Sequence, residues 1–302
     1  MARRDVFLHL GPSRLGTDLV EDVLTEHADT LAVRGVRRAG TPEGVFRAAV
    51  ELAWDHHAWG FRRRDVEGAW AEVCREARRQ RRSTRAVVVS ERMLAALDRP
   101  AVDLLLDQLA GMRPRLVLTV TAPDGQCRIG DPATDLVDVL DRWVPALRDP
   151  QRVHVVVLPG CRCAGETVRG ALADLVGVAL PPTPPRAMGR PPASVDPTVG
   201  PTVDDGERAR RTALALSWVG ALAASGVRVH GEPADLLPGT PPEAPGDEGQ
   251  CGCQASSSAV REVTAFGSLP SASAWMEVCS KTSRRERRAA IQTCWSTSAE
   301  SL

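Results

Sequence analysis

The chain has 302 residues, with 38 Lys and Arg balanced by 38 Asp and Glu, so its formal net charge is zero. Hydrophobic residues make up 43% and charged residues 25%, a composition ordinary for a soluble globular protein and sufficient, at this length, for one large or two small packed cores. Balanced charge argues against a protein whose main task is to coat nucleic acid or an anionic membrane, because both need excess positive charge.

Lys281 is the only lysine. Arginine therefore carries nearly every positive charge as a compositional habit, and no single arginine is evidence by itself. No stretch reaches the roughly 18 to 20 apolar residues of a spanning helix. The twin Arg near the start is followed by an apolar run of only Val6 to Leu10, too short for a secretory core of about 7 to 15 residues. These features predict a cytoplasmic chain without a leader, in which the cysteines stay reduced.

Val6–Leu10 is a short apolar run closed by Gly11-Pro12-Ser13 and reads as a buried strand. Helical spacing follows over Thr17–Ala32, with Thr17 or Asp18 as the expected cap. Val45–Trp54 and Val66–Arg82 read as two further helices, the second with a basic face from Arg75 to Arg82. Ala86–Val89 is a strand ending in Ser90-Glu91, Pro100–Leu109 a helix, Arg115–Thr121 a strand and Leu136–Leu147 a helix. Val153–Leu158 is a strand, Glu166–Val176 a helix, Glu207–Ser225 a long helix and Gly226–Gly231 a short strand. Strands alternating with helices, and strands apolar on both faces, predict a parallel sheet covered on both sides. Ligands in such sheets sit beyond the carboxyl ends of the strands. Gly11 to Thr17, Ser90-Glu91, Ala122 to Asp124 and Pro159 to Cys163 are thereby placed on one rim.

Leu180–Pro201 is rich in Pro and Gly and reads as a linker. The expected domain covers 1–238. Residues 239–302 are Pro, Gly and Ser rich and read as a disordered tail, with a basic clump at Lys281 to Arg288 and a possible short helix over Arg284–Thr293.

The most informative segment is strand, tight loop, helix: VFLHL, then Gly11-Pro12-Ser13-Arg14-Leu15-Gly16-Thr17, then DLVEDVL. A helix start offers unpaired N–H groups and a partial positive charge, so it can hold an anion. The Gly11-x4-Gly16 spacing matches the first part of a Walker A loop, but Thr17 and Asp18 stand where Lys and Ser or Thr belong, which disfavours nucleoside triphosphate hydrolysis. The positive charge sits inside the loop, at Arg14.

This segment resembles the 5′-phosphosulfate loop of sulfotransferases that use 3′-phosphoadenosine 5′-phosphosulfate (PAPS), G-x-P-K-T-G-T-[TS] between a strand and a helix. Gly11, Gly16 and Thr17 match, and Arg14 falls on the family Lys. The chain is most similar to a group of actinobacterial sulfotransferase-like proteins. Their segments are resembled by Leu31–Val36, by Val87–Glu91 where they have Ser-His-Glu, by Asp135–Trp143 with Arg152–Val157, and by Gly226–Pro238, so the similarity spans roughly residues 5–238. It implies a three-layer, P-loop-like α/β domain that transfers a sulfuryl group from PAPS, without a metal, to a hydroxyl or amine on a small-molecule or glycan-like acceptor. Gly11, Pro12, Ser13, Arg14, Leu15, Gly16 and Thr17 would hold the co-substrate. Glu91, on the same rim, is the candidate general base, its alternative role being a carboxylate at a helix start.

The departures are specific. Arg14 is not equivalent to Lys beside a bridging oxygen, and Asp18 places a carboxylate near the anion. Pro123 stands where the family has an Arg of its 3′-phosphate clamp, the helix after it is missing from the short path between Asp124 and Leu136, and Arg128 is the candidate substitute. Two other readings follow: a nucleotide- or anion-binding protein of the same fold with impaired catalysis, and a partner-binding protein acting through its Arg-rich helix or its tail. Among remaining features, His9 reads as a buried, satisfied histidine, and His56-His57 between Trp54 and Trp59 as an aromatic cluster or an acceptor wall. Cys161-x-Cys163 with Cys251-x-Cys253 has poor spacing for zinc.

Overall fold

A computed structural model describes residues 3–12, 14–124, 127–160, 164–182 and 204–237, Arg14 by its backbone alone. The expected tail, the Lys281–Arg288 clump, the helix over Arg284–Thr293, the four paired cysteines and most of the linker lie outside the described residues.

The chain begins with β1 (Asp5–Leu10), α1 (Arg14–Glu26), α2 (Ala28–Val33), β2 (Val36–Arg38), α3 (Pro42–Leu52), α4 (Arg63–Val66), α5 (Ala69–Arg79) and β3 (Ala86–Ser90). After a 3-10 turn at Arg92–Ala96 come α6 (Arg99–Asp107), β4 (Arg113–Val120), α7 (Leu136–Leu147), β5 (Val153–Val157), α8 (Ala164–Val176), α9 (Asp205–Ser225) and β6 (Arg228–His230). The strands form one six-stranded sheet in the order β2-β3-β1-β4-β5-β6, and every neighbouring pair is parallel. The expected α/β class with a parallel sheet is what the chain adopts.

Side chains alternate across each strand, because successive Cβ atoms point to opposite faces. Val6, Leu8 and Leu10 of β1, with Leu116, Leu118 and Val120 of β4, enter a core shared with α3, α5, α6, α7 and α9. Phe7, Val88, Val117 and Val156 enter a second core, with α1, α2 and α8. The sheet is therefore the middle of three layers, and burial on both sides is why its strands read as unbroken apolar runs. β1 lies at the centre. Its own connection, through α1 and α2, runs over the second core, whereas α6 carries the chain from β3 past β1 to β4 over the first. The connections thus part company at β1, the place where parallel sheets open a crevice at their carboxyl ends.

Helix starts follow local chemistry. Thr41 accepts from Gly44 N at 3.1 Å with Pro42 in the first turn, Asp98 from Ala101 N at 2.9 Å and Asp204 from Glu207 N at 2.6 Å, each filling a donor the helix itself leaves open. Asp135 does more. Its carboxylate is buried and accepts from Val137 N at 3.1 Å, Gly130 N at 2.8 Å and Trp218 Nε1 at 2.9 Å, so one side chain caps α7, fixes the preceding loop and ties α9 to α7. Arg142, also buried, donates to the carbonyls of Ala95 and Pro132 and joins α7 to the turn after β3.

Three expectations need correction. The helix over Thr17–Ala32 begins earlier, at Arg14, and breaks at His27 into α1 and α2; Thr17 and Asp18 lie inside it and are not its cap. The helix expected over Val66–Arg82 spans only Ala69–Arg79: Val66 ends the separate α4, Gly68 with its φ of +83° lies between them, and Arg81 and Arg82 fall beyond the helix end. The strand β2 was absent from the sequence reading, because two of its three residues are arginines.

Asp135→Ala removes the acceptor of three donors at once. It should lower the stability of the full chain by about 2–4 kcal/mol, read as a drop in the urea midpoint.

Candidate functional site

β1 ends at Leu10, and α1 begins at Arg14. The expected seven-residue loop is thus a short connection followed by the first helical turn, with Leu15, Gly16 and Thr17 already helical. The first N–H groups of α1 have no acceptor one turn earlier in the helix, and its dipole places partial positive charge there.

Gly16 is explained by packing and not by a curled backbone. Its φ is not in the left-handed region, and an added Cβ would lie 2.7 Å from Thr119 Cβ, inside contact distance of Thr119 Oγ1 and 3.5 Å from Leu158. The absent side chain lets the first turn of α1 settle onto β4, close to the end of β5.

Beneath that turn runs a buried polar chain. His9 Nδ1 lies 2.8 Å from Ser90 Oγ and its Nε2 3.0 Å from Thr119 Oγ1, so one imidazole joins β3, β1 and β4. Both hydroxyls can donate or accept, so either neutral tautomer is satisfied. Burial pushes the His9 pKa down to about 3. As the sequence reading held, His9 is a satisfied core histidine.

Glu91 follows β3 on the same rim. Its backbone N–H donates to His9 O at 3.1 Å, which sets it beside the exit of β1. Its Oε1 accepts from Met93 N at 3.0 Å and caps the 3-10 turn, the alternative role considered from the sequence. Burial chiefly pushes its carboxyl up; the Met93 N–H and the Arg92 charge oppose this, and the Glu21 charge adds to it. Glu21, on α1, pairs with Arg38 at the end of β2. Thr17 Oγ1 and Glu21 Oε1, one helical turn apart, are buried without a hydrogen-bond partner among the described residues, which costs about 1–3 kcal/mol each unless a polar group meets them. Glu21, Arg38 and Thr119 were missed in the sequence. Only the i,i+4 spacing of Thr17 and Glu21 hinted at a shared face, and Arg38 could not be assigned while β2 went unseen.

The rest of the rim is less well supplied. Pro123 is buried, and no helix forms between Asp124 and Leu136 among the described residues. Arg128 is exposed, its backbone N–H reaching Thr134 Oγ1 at 3.3 Å. His56 and His57 lie with ring centroids 4.2 Å apart beyond the end of α3, and Trp54 and Trp59 are 66% and 44% exposed, so this cluster is open to solvent. On the same sheet face as His9, His154 Nδ1 lies 3.2 Å from His230 Nε2; burial, reinforced by the charges of His230, Arg115 and Arg228, brings the His154 pKa to about 3. No set of three or more His, Cys, Asp or Glu among the described residues could hold a metal ion, and no described helix is long and apolar enough to cross a membrane.

The chain has no match among protein-family models, curated proteins or solved structures. The site therefore has to be read from its own residues.

Gly16→Ala should cost about 1–3 kcal/mol and disturb the His9–Thr119 contact. A lowered melting temperature with altered His9 imidazole resonances would show it; a neutral variant would place α1 further from the sheet. Acid provides a second check. His9 and His154 stay neutral in the folded chain down to about pH 3, whereas an unfolded histidine charges near pH 6.5. Their contribution is intact above pH 6.5 and is lost on acidification at about 1.4 kcal/mol per pH unit for each. The buried carboxyls of Glu91 and Asp135, both pushed up, work in the opposite sense at lower pH. Urea midpoints should be level above pH 6.5 and fall between pH 6 and 5.

Proposed function

We propose that this protein is a sulfotransferase-like α/β protein that binds a 5′-phosphosulfate at the start of α1 and transfers its sulfuryl group to a hydroxyl or amine. The observation that carries this reading is the short exit of the central strand β1 into α1, at the point where the sheet's connections diverge, with Glu91 hydrogen-bonded by its backbone to His9 next door. The unpartnered Thr17 hydroxyl in the first turns of α1 supports it, since Thr17 is one of the residues the resemblance assigns to the phosphosulfate.

In this mechanism the acceptor oxygen or nitrogen attacks sulfur in line. The bond from sulfur to the bridging phosphate oxygen breaks, and the leaving phosphate gains negative charge. N–H groups at the start of α1, with the cation of Arg14, stabilise that charge where it develops. Glu91 takes the acceptor's proton. A carboxyl pushed up by burial is a stronger base than an exposed one, but it must first release Met93 N–H or use its second oxygen. Asp18, exposed on α1, acts against anion binding.

A specific observation favours the second reading, a binder with impaired catalysis. Pro123 is buried at the place of the family's 3′-phosphate Arg and offers no cation, so a nucleotide would be held chiefly by its 5′ end.

Calorimetry with adenosine 3′,5′-bisphosphate should show binding that Arg14→Ala weakens about tenfold or more, the loss of one charge-assisted phosphate contact. Turnover with PAPS and a panel of hydroxyl and amine acceptors should fall at least about a hundredfold in Glu91→Gln. Binding without turnover selects the impaired binder, and no binding of either nucleotide rejects both readings.

A further inference from the structure

A second surface lies at the opposite, amino-terminal edge of the sheet. The side chains of Arg34, Arg37, Arg79, Arg81 and Arg82 are exposed there and make no hydrogen bond or ion pair with any described residue. Arg79, Arg81 and Arg82 lie on the segment that leads into β3, and Arg34 and Arg37 lie on the segment paired with the start of that strand. Arg85 Nε donates to Arg34 O at 3.0 Å, Gly35 O accepts from Arg85 N at 2.8 Å, and Arg37 pairs in register with Val87 of β3.

The end of α5 shows why these charges are surplus. The carboxyl end of a helix presents unpaired carbonyls and partial negative charge, which normally engages the arginines of its last turn. Here Arg4 fills that role from the start of β1. Its guanidinium donates to Ala77 O, to Thr84 O at 2.9 Å, to Gln80 O at 3.0 Å and to Arg81 O at 3.1 Å. One internal cation thus holds the segment from Ala77 to Thr84 in place and satisfies its carbonyls, leaving Arg79, Arg81 and Arg82 on a fixed backbone with nothing to neutralise them. Asp5 is paired with Arg113 and Arg115, and Glu72 with Arg75.

We propose that this arginine edge is a docking surface for an acidic segment of a partner protein. Planar guanidinium forks match carboxylates in pairs, and a backbone fixed beforehand lowers the ordering cost of binding. The same observations disfavour the other polyanions. The chain as a whole is neutral and lacks the broad positive field that concentrates a protein on nucleic acid. The exposed tryptophans, Trp54 and Trp59, sit on a different segment, so the edge has no aromatic platform for bases. Val33 is the one large exposed apolar residue adjoining it in sequence, too little to enter a lipid interface.

The test uses the full chain and a short fluorescein-labelled poly-glutamate peptide, read by anisotropy, with duplex DNA and phosphatidylserine vesicles as parallel probes. The peptide should bind, weaken as salt rises, and lose about tenfold or more in affinity in R79E/R81E/R82E. An equal reversal at three exposed arginines elsewhere, R63E/R64E/R208E, should leave binding within about twofold. The neutralised variant R79Q/R81Q/R82Q should behave like the reversed one, and both should melt like the parent. Absence of peptide binding, equal loss in the two reversed variants, or tighter binding of DNA or vesicles than of peptide would each overturn the proposal.

Discussion

The arrangement at the carboxyl rim depends on how closely α1 approaches the sheet. Gly16 lets the first helical turn rest on Thr119, Thr119 meets His9, and His9 meets Ser90. This chain of contacts ties the start of α1 to three neighbouring strands. Without it, the N–H groups at the helix start and the carboxylate of Glu91 would sit on separate elements with no fixed relation. A buried imidazole suits the task because it offers one donor and one acceptor on opposite sides of a rigid ring, and each hydroxyl can adjust to it. Dryness keeps it neutral, so the link does not itself carry charge into the site.

Much of this fold could be read from residues alone because the sheet is covered on both faces. Runs such as Val87-Val88-Val89 and Val155-Val156-Val157 have no polar member to confuse the period. What escaped was decided by partners distant in sequence. β2 is a strand because β3 pairs with it, not because Val36-Arg37-Arg38 favours one. Helix α1 starts at Arg14 although a glycine in its first turn suggested a loop; the reason lies about a hundred residues away, at Thr119. The hydroxyls of Ser90 and Thr119, ordinary in isolation, become meaningful only once His9 is set between them.

The candidate site shows the same limit. Its place on the rim followed from parallel topology, and Glu91 does lie at the carboxyl end of β3. Its attachment to Met93 N and its exposure to the Glu21 charge are consequences of packing. Those two contacts act on its protonation in opposite ways: the hydrogen bond favours the charged carboxylate, whereas burial and the neighbouring acid favour the neutral one. Glu91 as a base therefore depends on what approaches it. A cation or a hydroxyl donor arriving at the rim would shift that balance toward the carboxylate.

Net neutrality hides a division of labour between the two ends of the sheet. At the carboxyl rim Glu21 pairs with Arg38 and Glu91 caps the turn that follows it. At the amino edge the half-buried Arg4 is engaged by carbonyls, while the side chains of Arg79, Arg81 and Arg82 are exposed and make no ion pair among the described residues. A structural account of those arginines would have them satisfy the end of α5, but Arg4 already does so through four residues' carbonyls. Folding alone thus explains Arg4 and leaves Arg79, Arg81 and Arg82 unexplained. Since like charges held close together repel, those three exposed guanidinium groups add nothing to the stability of the fold, and the proposed acidic partner would relieve that repulsion.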